Sequence, residues 1–268
     1  MIAATAPFLP TPVWPAAPNV RAICTTRGRN ASDGACAAPR EFFNLGDHVG
    51  DAPAAVAANR VRLQSAIGAR PVFMNQVHGV QVARLTPGMA DGVTADAAIT
   101  TFAQLACTVL MADCLPVLFA DSAGRAVAAA HAGWRGLARG VLEQTLAAFK
   151  SLPVDAAATH ENGDILAWLG PCIGPDAFEV GCEVRDAFVR TDAGAAACFR
   201  PVRAGKFLAD LSALARRRLA AQGVTRIYGN DGGAAWCTVT QRERFFSHRR
   251  DHITLGGSGR MAACIWLQ

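Results

Sequence analysis

The chain has 268 residues, 51% of them apolar and 18% charged, with a formal net charge of +5. That balance excludes a disordered chain. A charge of +5 spread over this length favours small anionic ligands only weakly and does not establish nucleic-acid binding, which would want a concentrated basic face. No apolar run reaches the length of a membrane-spanning helix.

The opening MIAATAPFLPTPVWPAAP lacks a basic n-region, and prolines break its apolar stretch, unlike a signal peptide. Residues 20–26 are a predicted strand. Residues 27–50, rich in Gly, Asn, Asp and Ser, form a long loop of the kind that is usually functional or mobile. A helix follows to about Ile67, with Asp51 as N-cap and Pro53 in its first turn. Arg60 falls on its apolar stripe with Val56, Leu63 and Ile67, where it either snorkels to water or points into a pocket. Residues 72–77 and 80–85 look like a strand pair around His78-Gly79. Further strands are expected at 105–112, 115–120 and 125–130, then a helix at 137–149 and a strand at 165–169. Helices at 183–190 and 207–222 follow, the second with Arg216–Arg218 on a solvated face. Strands at 224–228 and 261–267 close the chain. Strands interleave with helices and hairpins also occur, which predicts an α/β fold, a mixed sheet with helices outside.

The nine cysteines are dispersed, with no CxxC pair. They indicate reduced thiols in a cytoplasmic protein, and Cys24, Cys36, Cys107, Cys182, Cys198 and Cys264 read as small core or surface residues.

The stretch MADCLPVLFADSAGRAVAAAHAGWRG, residues 111–136, concentrates the chemistry. If the turn at 121–124 is symmetric about Ser122-Ala123, Cys114 faces His131 across the hairpin. Directly opposed side chains stand about 4.5–5.5 Å apart. Pro116 permits a bulge that would shift this register. Three readings fit such a pair: a nucleophilic cysteine with a histidine base, two ligands of a metal ion, or ordinary packing. The metal reading needs a third ligand, for which His78 in NQVHG is the best candidate. One thiolate and two imidazoles suit zinc, and three protein ligands leave a position open for catalysis. HAGWRG then joins a strand to a helix, where glycines let backbone approach a ligand and Arg135 could hold an anion.

Other metal motifs fail. Pro171-Cys172 lacks the second cysteine of the zinc deaminases, and His160-Glu161 lacks the second histidine of HExxH. GGSGRM at 256–261 precedes a strand, so it is poor evidence for a dinucleotide site. Six histidines with no His-x-His pair are too few for a four-copper oxidase.

NQVHG (75–79), ADCLPV (112–117) and HAGWRG (131–136) resemble the motifs of the laccase-domain family. NLGDHVGD (44–51), ANR (58–60), WLGPCIGPDAFEVG (168–181), KFLADL (206–211) and RFFSHRRD (244–251) extend the likeness over nearly the whole chain. Members of that family have been called polyphenol oxidases, purine nucleoside phosphorylases and peptidoglycan editing factors. The resemblance implies one domain over residues 1–268, of mixed β-sheets flanked by helices, similar to the fold of a cysteine-dependent deamidating toxin. It implies one zinc ion on His78, Cys114 and His131, with copper the less favoured metal. It further implies phosphorolysis of adenosine, inosine, guanosine and methylthioadenosine, together with adenosine deamination. Cys114, His131 and Asp113 are then the catalytic candidates, Asp113 as proton shuttle. Arg27, Arg60 and Arg135 are candidates for holding phosphate, with Asn44 and Gln76 as polar contacts. The implied partners are purine nucleosides and phosphate, with neither nucleic acid nor membrane. His48, His248 and His252 are further candidates for the pocket wall. The segment NDGGAAWC (230–237) looks longer than is usual for the family and would alter the pocket rim. The alternatives are an editing hydrolase acting on peptidoglycan precursors, a copper-dependent phenol oxidase, and a non-catalytic zinc-binding module.

Overall fold

Every residue of β5 (Leu105–Met111) is buried. Its side chains alternate between two apolar layers: Leu105, Cys107, Val109 and Met111 enter one, Ala106 and Leu110 the other. A strand covered on both faces reads as an unbroken apolar run. It pairs antiparallel with β13 (Met261–Leu267) and parallel with β2 (Arg70–Phe73), and β1 (Val20–Cys24) completes the four-stranded sheet β1-β13-β5-β2. A six-stranded sheet packs against it. Its members are β3 (Val82–Arg84), β4 (Ala97–Thr100), β6 (Leu115–Asp121), β7 (Val127–Ala132), β8 (Ile165–Leu169) and β12 (Arg226–Gly229), in the order β12-β8-β6-β7-β4-β3. β12 with β8 and β3 with β4 are parallel and the other pairs antiparallel, so both large sheets are mixed. A small sheet joins β9 (Glu179–Gly181), β10 (Phe199–Arg203) and β11 (Lys206–Ala209).

The layers follow from period-2 alternation. Leu118 and Ala120 of β6 face the four-stranded sheet, while Leu115, Val117 and Phe119 face outward. That outer face is covered by α2 (Trp134–Arg139), α3 (Val141–Lys150) and α5 (Leu211–Ala221), through Leu137, Leu142, Phe149, Leu214 and Leu219. On the far side, α1 (Pro53–Ile67) packs Leu63 and Ile67 against Ile23, Leu110 and Trp266. Two shorter helices, α4 (Cys182–Val189) and α6 (His248–Leu255), complete a mixed α/β single domain with helices flanking several sheets. This computed structural model describes residues 12–28, 42–152 and 164–268; most of the long loop, Cys36 and His160 lie outside the described residues. Among the described residues no helix is long and apolar enough to cross a membrane, and the eight described cysteines are all free.

Several expected elements differ. The strands flanking His78 are not a pair, because β2 joins β5 and β3 joins β4 in the other sheet. The amides of Val77, His78 and Gly79 bond the Asp96 carboxylate instead of a neighbouring strand. The helix expected at 207–222 begins at Leu211, where Asp210 caps it by accepting from the Ala213 amide at 2.9 Å; the residues before it form β11. The helix expected at 137–149 starts earlier and breaks at Gly140, whose φ is +99°. The N-cap of α1 is Ala52, while the Asp51 side chain bonds Asn44. β4 was missed because its alanines carry little strand signal.

The Arg216–Arg218 run is not simply solvated. Arg217 pairs with Asp192 and Arg218 with Glu143, while Arg216 donates to the carbonyls of Ile227, Gly229 and Asn230.

Candidate metal centre

The turn between β6 and β7 is longer than a symmetric hairpin about Ser122-Ala123 requires, and it closes through Asp121 N donating to Ala126 O at 3.0 Å. The register is therefore Pro116 opposite His131 and Leu115 opposite Ala132, two residues away from the expected one. A shift of two keeps every side chain on its face. Cys114, one residue before β6, consequently still lies beside His131 as a diagonal neighbour. The chain reaches that position through Asp113, whose φ is +87°. A non-glycine residue there is strained and must be held by its surroundings. Asp113 is held at both carboxylate oxygens, which accept from Thr238 Oγ1 and the Arg249 amide, each at 2.6 Å.

His78 arrives from the end of β2 with φ +58°. Its ring meets that of His131 edge-on, with centroids 4.8 Å apart, and its Nε2 lies 3.7 Å from Cys114 Sγ. One ligand atom each from His78, Cys114 and His131 falls within 4.8 Å of the others. Bond lengths of about 2.3 Å to sulfur and 2.0–2.1 Å to nitrogen place two tetrahedral zinc ligands roughly 3.6 Å apart. Thiolate, two imidazoles and this separation fit such an ion.

Asp96, fully buried, organises the cluster and was missed in the sequence, where it is one carboxylate ahead of an alanine-rich stretch. Its Oδ1 lies 2.9 Å from His131 Nδ1 and also accepts the His78 amide; its Oδ2 accepts the amides of Val77 and Gly79. One carboxylate thus sets the ring of His131 and the backbone of His78, leaving His131 Nε2 for the cluster. Burial pushes the Asp96 carboxyl up, but the His131 hydrogen bond and the amides more than offset it and hold the group below its ordinary value. Burial also opposes charge on Cys114 and His131, yet their mutual attraction wins. The thiol is drawn down to about 6 by the imidazoles of His131 and His78, and His131 is held up at about 9 by the Cys114 thiolate and Asp96. Each group thus favours the charged form of the other, which readies the Cys114 sulfur for a cation.

The glycines of HAGWRG are sterically required. A Cβ on Gly133 would lie 2.7 Å from His78 Cδ2 and 3.0 Å from Cys114 Sγ, and one on Gly136 would lie 2.9 Å from the Gly79 carbonyl.

The other candidates fall in several places. Arg60 and Gln76 line a cavity of 460 Å³ with Asp47, His48, Phe73 and Asp91. Arg60 pairs with Asp47 at 3.1 Å, donates to Leu45 O and lies 4.0 Å over the Phe73 ring, so it points into a pocket rather than snorkelling. Gln76 clamps the Leu110 backbone with both ends of its amide. Asn44 is fully buried with its hydrogen-bonding capacity filled by Gly46, Asp51 and Arg260. It shapes the loop, its donors and acceptors all taken within the chain. Arg135 is exposed over the Trp134 ring. Arg27 donates to Arg242 O and lies over Phe246. His248 and His252 stack on α6 with centroids 4.8 Å apart. The 230–237 segment docks Trp236 on Trp168 and hands Thr238 to Asp113, so it braces the Cys114 turn.

The family described as multi-copper polyphenol oxidoreductase laccase matches residues 21–268. A purine nucleoside phosphorylase of Pseudomonas aeruginosa is 48% identical over 259 residues, covering 96% of this chain and 98% of its own. The purine nucleoside phosphorylase YfiH of Escherichia coli is also 48% identical over 259 residues, covering 96% and 97%. A crystal structure of a Neisseria meningitidis protein superposes with a TM-score of 0.86 at 46% identity, covering 98% of this chain and 99% of that one.

Proposed function

Because this chain belongs to the multi-copper polyphenol oxidoreductase laccase family, we propose that it is a zinc-dependent purine nucleoside phosphorylase that also deaminates adenosine. The observation that carries the reading is the His78–Cys114–His131 cluster, set by Asp96 and closely walled by Gly133. The names of its relatives support the phosphorylase part. Among the described residues this is the one such cluster. Two imidazoles and a thiolate are too few for the several coppers in the family's description.

His78, Cys114 and His131 would hold the ion, which when bound supplies Lewis acidity at this point. Asp96 keeps the His131 ring in one orientation. Asp113, the candidate proton shuttle, instead fixes the strained turn that presents Cys114. Arg60, Gln76 and Phe73 line one cavity, where the nucleoside would seat; Arg27 and Arg135 lie outside that wall. In phosphorolysis an oxygen of phosphate bonds the anomeric carbon as the glycosidic bond breaks, giving free base and ribose 1-phosphate.

The test pairs metal analysis with product analysis. Zinc and copper are quantified in the purified protein, which is then incubated with adenosine with and without phosphate, beside Cys114→Ala. Adenine and ribose 1-phosphate only with phosphate, and inosine in either case, are expected, both lost in the variant. No product from folded, zinc-loaded protein would sink the reading for adenosine and bring an editing hydrolase of peptidoglycan precursors to the front.

A further inference from the structure

We infer that Arg260 is the anion anchor beside this centre, its guanidinium edge taking inorganic phosphate; the identity of the anion rests on the phosphorylase reading. Arg260 immediately precedes β13, and Met261 pairs with Met111. Arg260 thus stands across from Ala112, at the sheet end that leads into Cys114. Its backbone is bound on both sides, the amide donating to Asn44 Oδ1 at 2.8 Å and the carbonyl accepting from Leu45 at 3.0 Å. The stem lies against Gly46, where a Cβ would come within 2.7 Å of Arg260 Cγ. The buried Asn44 and the bare Gly46 together form its mount.

The guanidinium is fixed at one corner only. Nη1 donates to Ser258 O at 2.9 Å and Gly259 O at 3.2 Å. Among the described residues Nε and Nη2 have no acceptor, and no carboxylate pairs with Arg260. Cys114 and Asp113 attract the guanidinium at range but neither bonds it, so burial leaves its charge only incompletely offset within the protein. The remaining edge, Nε with Nη2, is the planar fork that binds two oxygens of a phosphate.

The arginines singled out in the sequence are worse placed. Arg60 already has Asp47, and its cavity also carries Asp91, so an anion there would meet two carboxylates. Arg135 is exposed. Around Arg260, burial and the guanidinium charge push His48 and His248 toward their neutral forms. His48 carries Asp47 at 3.4 Å, so the neutral imidazole placed to donate to an anion is that of His248.

The experiment is calorimetric titration of inorganic phosphate into zinc-loaded protein as wild type, Arg260→Gln, Arg260→Lys, Gly46→Ala and Arg60→Gln. Arg260→Gln should weaken phosphate binding on the order of 10- to 100-fold. Arg260→Lys should recover part of the loss, and Arg60→Gln should stay within a few-fold of wild type. Gly46→Ala, which keeps the charge but displaces the stem, should also weaken binding and decides the matter if Arg260→Gln does not fold. Wild-type affinity in both Arg260→Gln and Gly46→Ala, or no phosphate binding by wild type, would overturn the anchor. Phosphate bound through Arg260 with no base released from any purine nucleoside would sink the phosphorylase reading alone. Base released with an unchanged KM for phosphate in Arg260→Gln would sink the anchor alone.

Discussion

Asp96 is the residue on which the centre depends. Exchange for Asn keeps the shape but removes the charge that His131 Nδ1 and three amides share. Loss of such a supporting carboxylate typically costs about 10- to 100-fold in metal affinity, which competition with a chromophoric chelator would measure in Asp96→Asn. The same group sets an acid limb. Its folded value lies below the ordinary 3.8. A depressed carboxyl contributes stability that is fully present above its unfolded value and is lost as pH falls through its folded one. Metal-free protein should therefore melt at progressively lower temperature below about pH 4, and Asp96→Asn should flatten that part of the profile while melting lower at neutral pH. An unchanged acid limb would show that Asp96 is not the group responsible. Gly133→Ala should empty the centre without unfolding the chain, since its methyl group meets ligand atoms of His78 and Cys114. Zinc stoichiometry beside a circular dichroism spectrum would separate the two effects, and full zinc occupancy would show that the ligands had moved aside.

Among the elements, those buried on both faces were the most legible. β5, β6 and β13 are runs of seven buried residues, and an apolar run of that length bounded by turn residues leaves few alternatives. β4, β9 and β11 were not legible. β11 carries the Phe207, Leu208 and Ala209 that also fit a helix, and only its pairing with β9 and β10 makes it a strand. The α2–α3 junction turned on Gly140, a left-handed residue that a periodicity argument passes over as one weak helix former. Gly140→Ala forces a side chain into that backbone region and should cost about 1–2 kcal/mol. A melting point unchanged by the substitution would mean that the two helices can rejoin around it. The hairpin register shows the same division. The apolar faces of β6 and β7 were right because a two-residue slip preserves them, whereas the turn that decides the slip depends on Asp121, whose side chain also pairs with Arg125.

For the molecule as a whole, metal binding should register as stability. A ligand that binds only the folded chain at 100 times its dissociation constant adds about 2.7 kcal/mol. Zinc should therefore raise the melting temperature of chelator-treated wild type by several degrees and leave Cys114→Ala unmoved. An equal rise in both would place the ion elsewhere. The amino-acid sequence by itself determined the α/β class, the main buried strands, and the identity of His78, Cys114 and His131 as ligand types on neighbouring segments. It could do so because apolar periodicity and donor chemistry are properties of residues and their near neighbours. Only the tertiary structure decided that Asp96 supports His78 and His131 at once, that Asn44 serves Arg260, and that Arg60 is already paired. Each of these depends on which polar groups meet across segments distant in the chain: 35 residues from Asp96 to His131 and 216 from Asn44 to Arg260. A buried hydrogen bond is specified by its partner as much as by its own residue, and chain order alone does not name the partner.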